Sequence, residues 1–248
     1  MNMKNAEFQN NKLAQIYEDF NQFSEDGSFW IDIISELKIN NIIDFWCGTW
    51  LLTHRLQNLG YNMVGIDPAK PMLLQAIKKD KDQKIKYIHG GYKKLKNLKA
   101  ELVLMTSHVS QFIIDDEEWN IFLQNSYNVL ESEWYILFDS KNPLLKPWEN
   151  YTTEKYNITK DTKFGQVNLQ IEAWEKFWNV ITHHLYYKFL ETWEQCISNN
   201  TLVYRTQQNL VVSLRENGFQ IIKIYGGWTW TDYTDLSSEM IFLAKKIS

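Results

Sequence analysis

The sequence predicts an α/β fold: a parallel sheet with helices on both faces and a β-rich insertion before the final helix. Three observations carry this. Short apolar runs alternate with helix-period segments from residue 41 to about residue 142. From there to about residue 206 the chain turns to alternating, β-branched and aromatic-rich runs. A helix-period segment and two further apolar runs close the chain.

The elements follow in order. Leu13, Ile16, Tyr17, Phe20 and Phe23 recur at helical spacing, which predicts one amphipathic helix over Lys12–Phe23. Phe29–Leu37 predicts another, with Ser24 or Asp26 as its cap. Asn41–Phe45 reads as a buried strand, and Leu51–Leu59 as a helix closed by Gly60. Tyr61–Ile66 is the second strand, ending at Asp67-Pro68, and Met72–Lys79 the next helix. Ile85–Ile88, Leu102–Met105 and Tyr135–Asp139 are strands three to five, with a helix at Trp119–Leu130. Val167–Ala173, Asn179–Phe189 and Leu202–Thr206 read as antiparallel strands. Leu210–Glu216 is helical and stopped by Asn217-Gly218, and Phe219–Tyr225 and Met240–Lys245 are the last strands. The organisation is one domain: an N-terminal helical cap (1–40), a ligand-binding core (41–142), the insertion (143–206) and a closing helix with two strands (207–248).

With 248 residues, the chain has ample length to bury a core. A net charge of −4 argues against a general binder of nucleic acid or anionic membranes. Cys47 and Cys196 are too few and too far apart for a disulfide scaffold or a Cys-rich zinc module. No run is long and apolar enough to span a bilayer, and Met1–Asn11 lacks the apolar core of a signal peptide, so a soluble cytoplasmic protein is expected. One count is odd. Ordinary usage of about 7% glycine would give roughly 17 residues; the chain has 10 glycines and 11 tryptophans.

In a parallel sheet covered on both faces, functional groups gather at the carboxyl ends of the strands. The run Ile43-Asp44-Phe45-Trp46-Cys47-Gly48-Thr49-Trp50 lies at such a strand-to-helix turn. A second carboxylate, Asp67, ends the next strand, before Pro68 and the Pro71-Met72-Leu73 helix start. That spacing suits a nucleoside ligand: turn N–H groups and a helix N-terminus meet its polar end, and Asp67 accepts the ribose hydroxyls.

These residues resemble the core of class I S-adenosylmethionine-dependent methyltransferases of the small-molecule type. The family's Asp-Leu-Gly-Cys-Gly-Thr-Gly stands here as Asp44-Phe45-Trp46-Cys47-Gly48-Thr49-Trp50, and its Gly-Ile-Asp-Pro-Ser as Gly65-Ile66-Asp67-Pro68-Ala69, followed by Met72-Leu73. The likeness continues in Met105-Thr106-Ser107-His108-Val109, Asp115–Trp119, Asp139-Ser140-Lys141-Asn142-Pro143 and Tyr225-Gly226-Gly227-Trp228. The resemblance implies a Rossmann-like seven-stranded methyltransferase sheet, its last strand antiparallel, binding S-adenosylmethionine over strands one to four. It places Asp44, Trp46, Cys47, Gly48 and Trp50 by the methionine part, Asp67 on the ribose, and Met72 or Ala69 near the adenine, with Pro68 also among the cofactor-binding residues. Gly91 stands where the family uses an Asp on the adenine amino group, with Tyr92 beside it to stack. Ser107 and Tyr17 complete the cofactor side. His108 is the candidate general base at the cofactor–substrate junction.

Two motif glycines are thus Trp46 and Trp50, where a Cβ and an indole crowd the ligand. Trp134, Trp178, Trp193 and Trp230 also fall where turns favour glycine. The expectation is a gene that uses UGA for glycine, translated with a table that reads it as tryptophan. Trp119, Trp148, Trp174 and Trp228 suit aromatic positions, and Trp30 is unassigned.

Other candidates carry less. His183 and His184 point to opposite faces of a strand, a poor metal pair, and no metal is expected. Cys47 suits packing better than nucleophilic attack. The insertion's aromatic residues suit a barrel-like core. The function expected is S-adenosylmethionine-dependent methyl transfer to a small-molecule acceptor, without nucleic-acid or membrane partners and with the oligomeric state unassigned. The alternatives are an inactive methyltransferase-like binding protein and a nicotinamide-dependent oxidoreductase, the latter fitting the Asp-x-x-Cys-Gly-Thr turn poorly.

Overall fold

The computed structural model describes residues 2–22 and 25–247. In chain order the strands and α-helices are β1 (Asn2–Lys4), α1 (Ala6–Gln9), α2 (Asn11–Ala14), α3 (Tyr17–Phe20), α4 (Glu25–Glu36), β2 (Asn41–Phe45), α5 (Leu51–Asn58), β3 (Asn62–Asp67), α6 (Lys70–Lys79), β4 (Lys86–His89), β5 (Ala100–Met105), α7 (Asp116–Val129), β6 (Leu130–Lys141), β7 (Asn157–Thr162), β8 (Gly165–Phe177), β9 (Val180–Phe189), β10 (Gln195–Val203), α8 (Gln207–Glu216), β11 (Phe219–Tyr225) and β12 (Glu239–Lys246).

Two sheets result. The larger has seven strands in the order β11-β12-β6-β5-β2-β3-β4. From β4 to β6 its neighbours are parallel, and β12 runs antiparallel to both β6 and β11. Its central strands are apolar because both faces are covered: Leu102, Val103 and Leu104 on β5 are fully buried. One face packs on α4 and α5 through Phe29, Ile33, Ile34, Leu52 and Leu56. The other packs on α7 and α8 through Trp119, Phe122, Leu123, Leu210 and Leu214. Local chemistry sets the helix starts. The Asp115 side chain accepts the N–H groups of Glu117 and Glu118, and Thr206 and Asn209 form a reciprocal capping box.

The smaller sheet, ordered β1-β10-β9-β8-β7, is the insertion plus the N-terminal strand. It is antiparallel except where β1 pairs in parallel with β10. Buried Glu7 on α1 engages Ser198 and Asn200 on β10, tying the start of the chain to this sheet.

Three expectations change. The single helix at Lys12–Phe23 is two short ones after a third, because the Asn10 side chain caps a new start at Lys12 and Leu13 and the backbone leaves helical geometry at Ile16. Phe23 and the cap candidate Ser24 lie outside the described residues. The last insertion strand is Gln195–Val203 rather than Leu202–Thr206, since Thr206 caps α8. Trp134 sits inside β6, and the left-handed residue there is Glu133, at φ 74°.

Candidate functional site

The loop between β2 and α5 lies at the carboxyl end of the central strand. Its shape comes from three residues with left-handed backbone at alternate positions: Trp46 (φ 61°), Gly48 (φ 60°) and Trp50 (φ 102°). Ile66 O accepts the N–H groups of both Trp46 and Cys47, which pulls the loop onto β3. Gly65 allows this approach, because a Cβ there would meet Cys47 Sγ at 2.8 Å. Left-handed backbone costs an L-residue with a Cβ roughly 1–2 kcal/mol. Gly48 escapes that cost; Trp46 and Trp50 do not. Both indole N–H groups are buried with no hydrogen-bond acceptor among the described residues.

Asp67 ends β3 and is 5% exposed. Its Oδ2 accepts the Gly48 N–H at 2.9 Å, and its Oδ1 the Ala69 N–H at 2.7 Å. Asp44 on β2 is equally buried and accepts the Thr53 hydroxyl at 2.6 Å. Burial pushes both carboxyls up to about 6 despite these hydrogen bonds. Burial likewise holds the Cys47 thiol well above its usual range, which suits packing and not attack.

After β5 the chain makes a tight turn in which Ser107 and His108 are both left-handed, each at φ 60°. Asp139 on β6 holds this turn: its Oδ1 accepts the His108 N–H at 2.9 Å and its carbonyl accepts the Ser110 hydroxyl at 2.5 Å. His108 Nε2 lies 2.7 Å from Glu239 Oε2 on β12 and 3.4 Å from Asp139 Oδ2. Lys141 Nζ lies 3.2 Å from the other Glu239 oxygen. Burial raises Asp139 to about 6. Burial also pushes Glu239 up, but His108 and Lys141 outweigh it and leave the carboxyl below its ordinary range.

These elements surround a cavity of about 470 Å³. Its wall includes Asp44, Trp46, Cys47, Gly48, Asp67, Pro68, Met72, Ser107, His108 and Tyr17 from the expected set. Trp50, Gly91 and Tyr92 are not on that wall. The Trp50 indole turns to His54, with ring centroids 3.9 Å apart. Gly91 precedes a turn of 3₁₀ helix, and the Tyr92 hydroxyl reaches Glu118 at 3.3 Å. The Trp46 indole stands on the cavity wall and packs against Phe45 and Phe112.

Sequence reasoning missed several participants. Asn5, Phe8 and Gln9 reach the cavity from the N-terminus, and Asp26, Gly27 and Trp30 from α4. Glu239 and Asp139 were not singled out as partners of His108. Asp139 lay in a recognised run, but Glu239 is brought there only by the antiparallel pairing Glu239↔Lys141. His183 and His184 are not at this site: buried His183 bonds the Tyr204 hydroxyl at 3.0 Å and His184 stacks on Trp174.

A family model described as a methyltransferase domain matches residues 42–133. A glycine/sarcosine N-methyltransferase from Aphanothece halophytica is 21% identical over 229 residues, covering 90% of this chain and 82% of that protein. Three solved structures share the fold. An S-adenosylmethionine-dependent methyltransferase from Clostridium acetobutylicum matches with TM-score 0.75 at 16% identity, over 96% of this chain and 99% of that one. The CcbJ methyltransferase from Streptomyces caelestis matches with TM-score 0.78 at 13% identity, over 97% and 99%. A sugar N-methyltransferase, KedS8, from a Streptoalloteichus species matches with TM-score 0.74 at 10% identity, over 94% and 92%. Sheet order, loop position and these likenesses agree: residues 42–133 match a methyltransferase-domain model, and the whole chain shares its fold with S-adenosylmethionine-dependent methyltransferases.

Proposed function

We propose that this methyltransferase methylates an amine nitrogen of a small molecule. The methyltransferase-domain match and the shared fold support the enzyme class and a small-molecule acceptor; the amine is the finer reading. The observation that carries it is the charge of the cavity wall: Asp26, Asp44, Asp67 and His108 line it, and no Lys or Arg does among the described residues. An acidic wall concentrates ligands that carry a cationic ammonium group. The names of the matched N-methyltransferases point the same way.

The same residues fit S-adenosylmethionine, whose sulfonium and ammonium groups are cationic. The volume lies within the range usual for a small-molecule pocket, roughly 300–1,000 Å³. When bound, the cofactor supplies an electrophilic methyl that leaves its sulfur as a nucleophile attacks in line. The Asp67 carboxylate would accept the ribose hydroxyls, and Asp44 would face the amino-acid end. Met72, Pro68 and Ala69 would contact the adenine, with Tyr17 as cover. Trp46, Cys47, Gly48 and Ser107 would border the methionine part, with Trp50, Gly91 and Tyr92 outside the wall. The protein's main contribution is to position two reactants and exclude water. No observation favours an inactive binding protein.

Transfer of a radiolabelled methyl group to glycine, sarcosine and a 2-amino sugar, against hydroxyl-only counterparts, tests the reading. Amine-dependent transfer supports it; transfer to the hydroxyl compounds alone overturns it.

A further inference from the structure

We propose that Glu239 and Asp139 are positioning residues that make His108 the acceptor of the substrate ammonium's proton. This rests on the amine reading above. An ammonium has no lone pair, so it must lose a proton before its nitrogen can bond to carbon. His108 lines the cavity and has two ring nitrogens. Nε2 faces two carboxylates, Glu239 Oε2 at 2.7 Å and Asp139 Oδ2 at 3.4 Å. A carboxylate accepts, so Nε2 carries the proton and Nδ1 keeps its lone pair. Nδ1 has no hydrogen-bond partner among the described residues. Asp139 Oδ2 is buried and has no hydrogen-bond donor either.

The arrangement is built, not incidental. Ser107 and His108 hold left-handed backbone that Asp139 fixes through the His108 N–H. Lys141 neutralises one Glu239 oxygen and leaves the other for the ring. The proton taken at Nδ1 gives an imidazolium between Glu239 and Asp139, which offset its charge. The charged and titratable groups facing the ring are these two carboxylates, with Lys141 behind Glu239 and Tyr151 near Lys141.

The test uses the full chain labelled with ¹⁵N-histidine, the His108 signal being assigned with His108→Asn. The ring-nitrogen shifts at pH 8 should report Nε2–H and an unprotonated Nδ1. Glu239→Gln should give a mixture of tautomers and lower kcat/KM for sarcosine or a 2-amino sugar at pH 7. That loss should shrink as the pH is raised toward 9.5, where free amine is plentiful, while S-adenosylmethionine affinity stays unchanged. An Nδ1–H tautomer in the unsubstituted chain overturns the proposal. So does a loss that is constant with pH. If no amine is methylated, the amine reading fails, and the tautomer still decides whether the carboxylates orient the ring.

A second observation carries a separate inference. Five of the eleven tryptophans have left-handed backbone: Trp46, Trp50, Trp178, Trp193 and Trp230, at φ 56–102°. A non-glycine residue there is uncommon, and a bulky one is an outlier. Outside tryptophan only seven described non-glycine residues share this geometry. We infer that the cellular protein carries glycine at these five positions, encoded by UGA. Trp178 and Trp193 are largely exposed, which removes burial as a reason for an indole there. Trp119, fully buried with its Nε1–H donating to Ser213 at 2.9 Å, is a true tryptophan. Codon sequencing, with mass-spectrometric sequencing of the polypeptide from its source cells, tests this. UGA codons and glycine at the five sites, with UGG at 119, are expected. UGG at 46 or 50, or tryptophan in those native peptides, overturns it.

Discussion

The backbone N–H of Gly48 donates to Asp67 Oδ2 at 2.9 Å, joining the loop after β2 to the carboxyl end of β3. One carboxylate thereby shapes the loop and keeps a charged edge on the cavity wall. Asp67→Asn removes that charge at nearly constant volume. Hydrogen bonds to charged groups are worth about 1.5–3 kcal/mol, so S-adenosylmethionine affinity should fall roughly ten- to a hundredfold. Calorimetry reads the loss, and circular dichroism checks that the fold is kept.

Asp44, Asp67 and Asp139 all titrate near 6 in the folded chain because burial disfavours their charge. A carboxyl raised above its unfolded value of 3.8 binds more protons in the folded state. Stability from these groups is therefore largest at low pH and falls as the pH climbs from about 4 through about 6, by roughly 3 kcal/mol per group at most. Glu239, held below its ordinary 4.5, acts oppositely and loses its contribution as the pH drops below that value. Urea unfolding of the cofactor-free chain should show a higher midpoint at pH 5 than at pH 7.5. Cofactor affinity should run the other way and weaken below about pH 6, as the facing carboxylates are neutralised.

Trp178 is 84% exposed with φ 56°. Its indole has almost no burial to lose. Trp178→Gly should stabilise the chain by about 1 kcal/mol, by relieving the left-handed strain net of glycine's extra unfolded-state freedom. Denaturant titration at constant m-value checks the sign.

Thr53 is fully buried and donates its hydroxyl to Asp44. Thr53→Val leaves that carboxylate without its side-chain donor and should cost about 1–3 kcal/mol at pH 7.5. The cost should shrink at pH 5, where Asp44 is largely protonated; thermal melts at the two pH values give the comparison.

The parts of this fold written locally were legible. Asn41–Phe45 and Phe219–Tyr225 match their strands because turn residues bound their apolar runs; the first is central and buried, the second an edge strand with a part-exposed face. β1 and β7 were not read as strands. Asn2–Lys4 is three residues with one apolar side chain, Met3, and becomes a strand by pairing with β10, and Asn157–Thr162 is a half-exposed edge strand. At the site, Asp44, Gly48 and Asp67 were legible because one short motif and its spacing contain them. Glu239 was not, since only a sheet register joins it to His108 across 131 residues. Trp134 shows the limit of turn analogy: the left-handed residue is its neighbour Glu133, while the indole packs against the core.

Calorimetric titration with S-adenosylmethionine of the chain as written and of Trp46→Gly/Trp50→Gly tests the central claim most directly. Saturable one-to-one binding by the double variant is expected, tighter than that of the unsubstituted chain by about tenfold or more, ~1.4 kcal/mol. No binding by the folded double variant would contradict it.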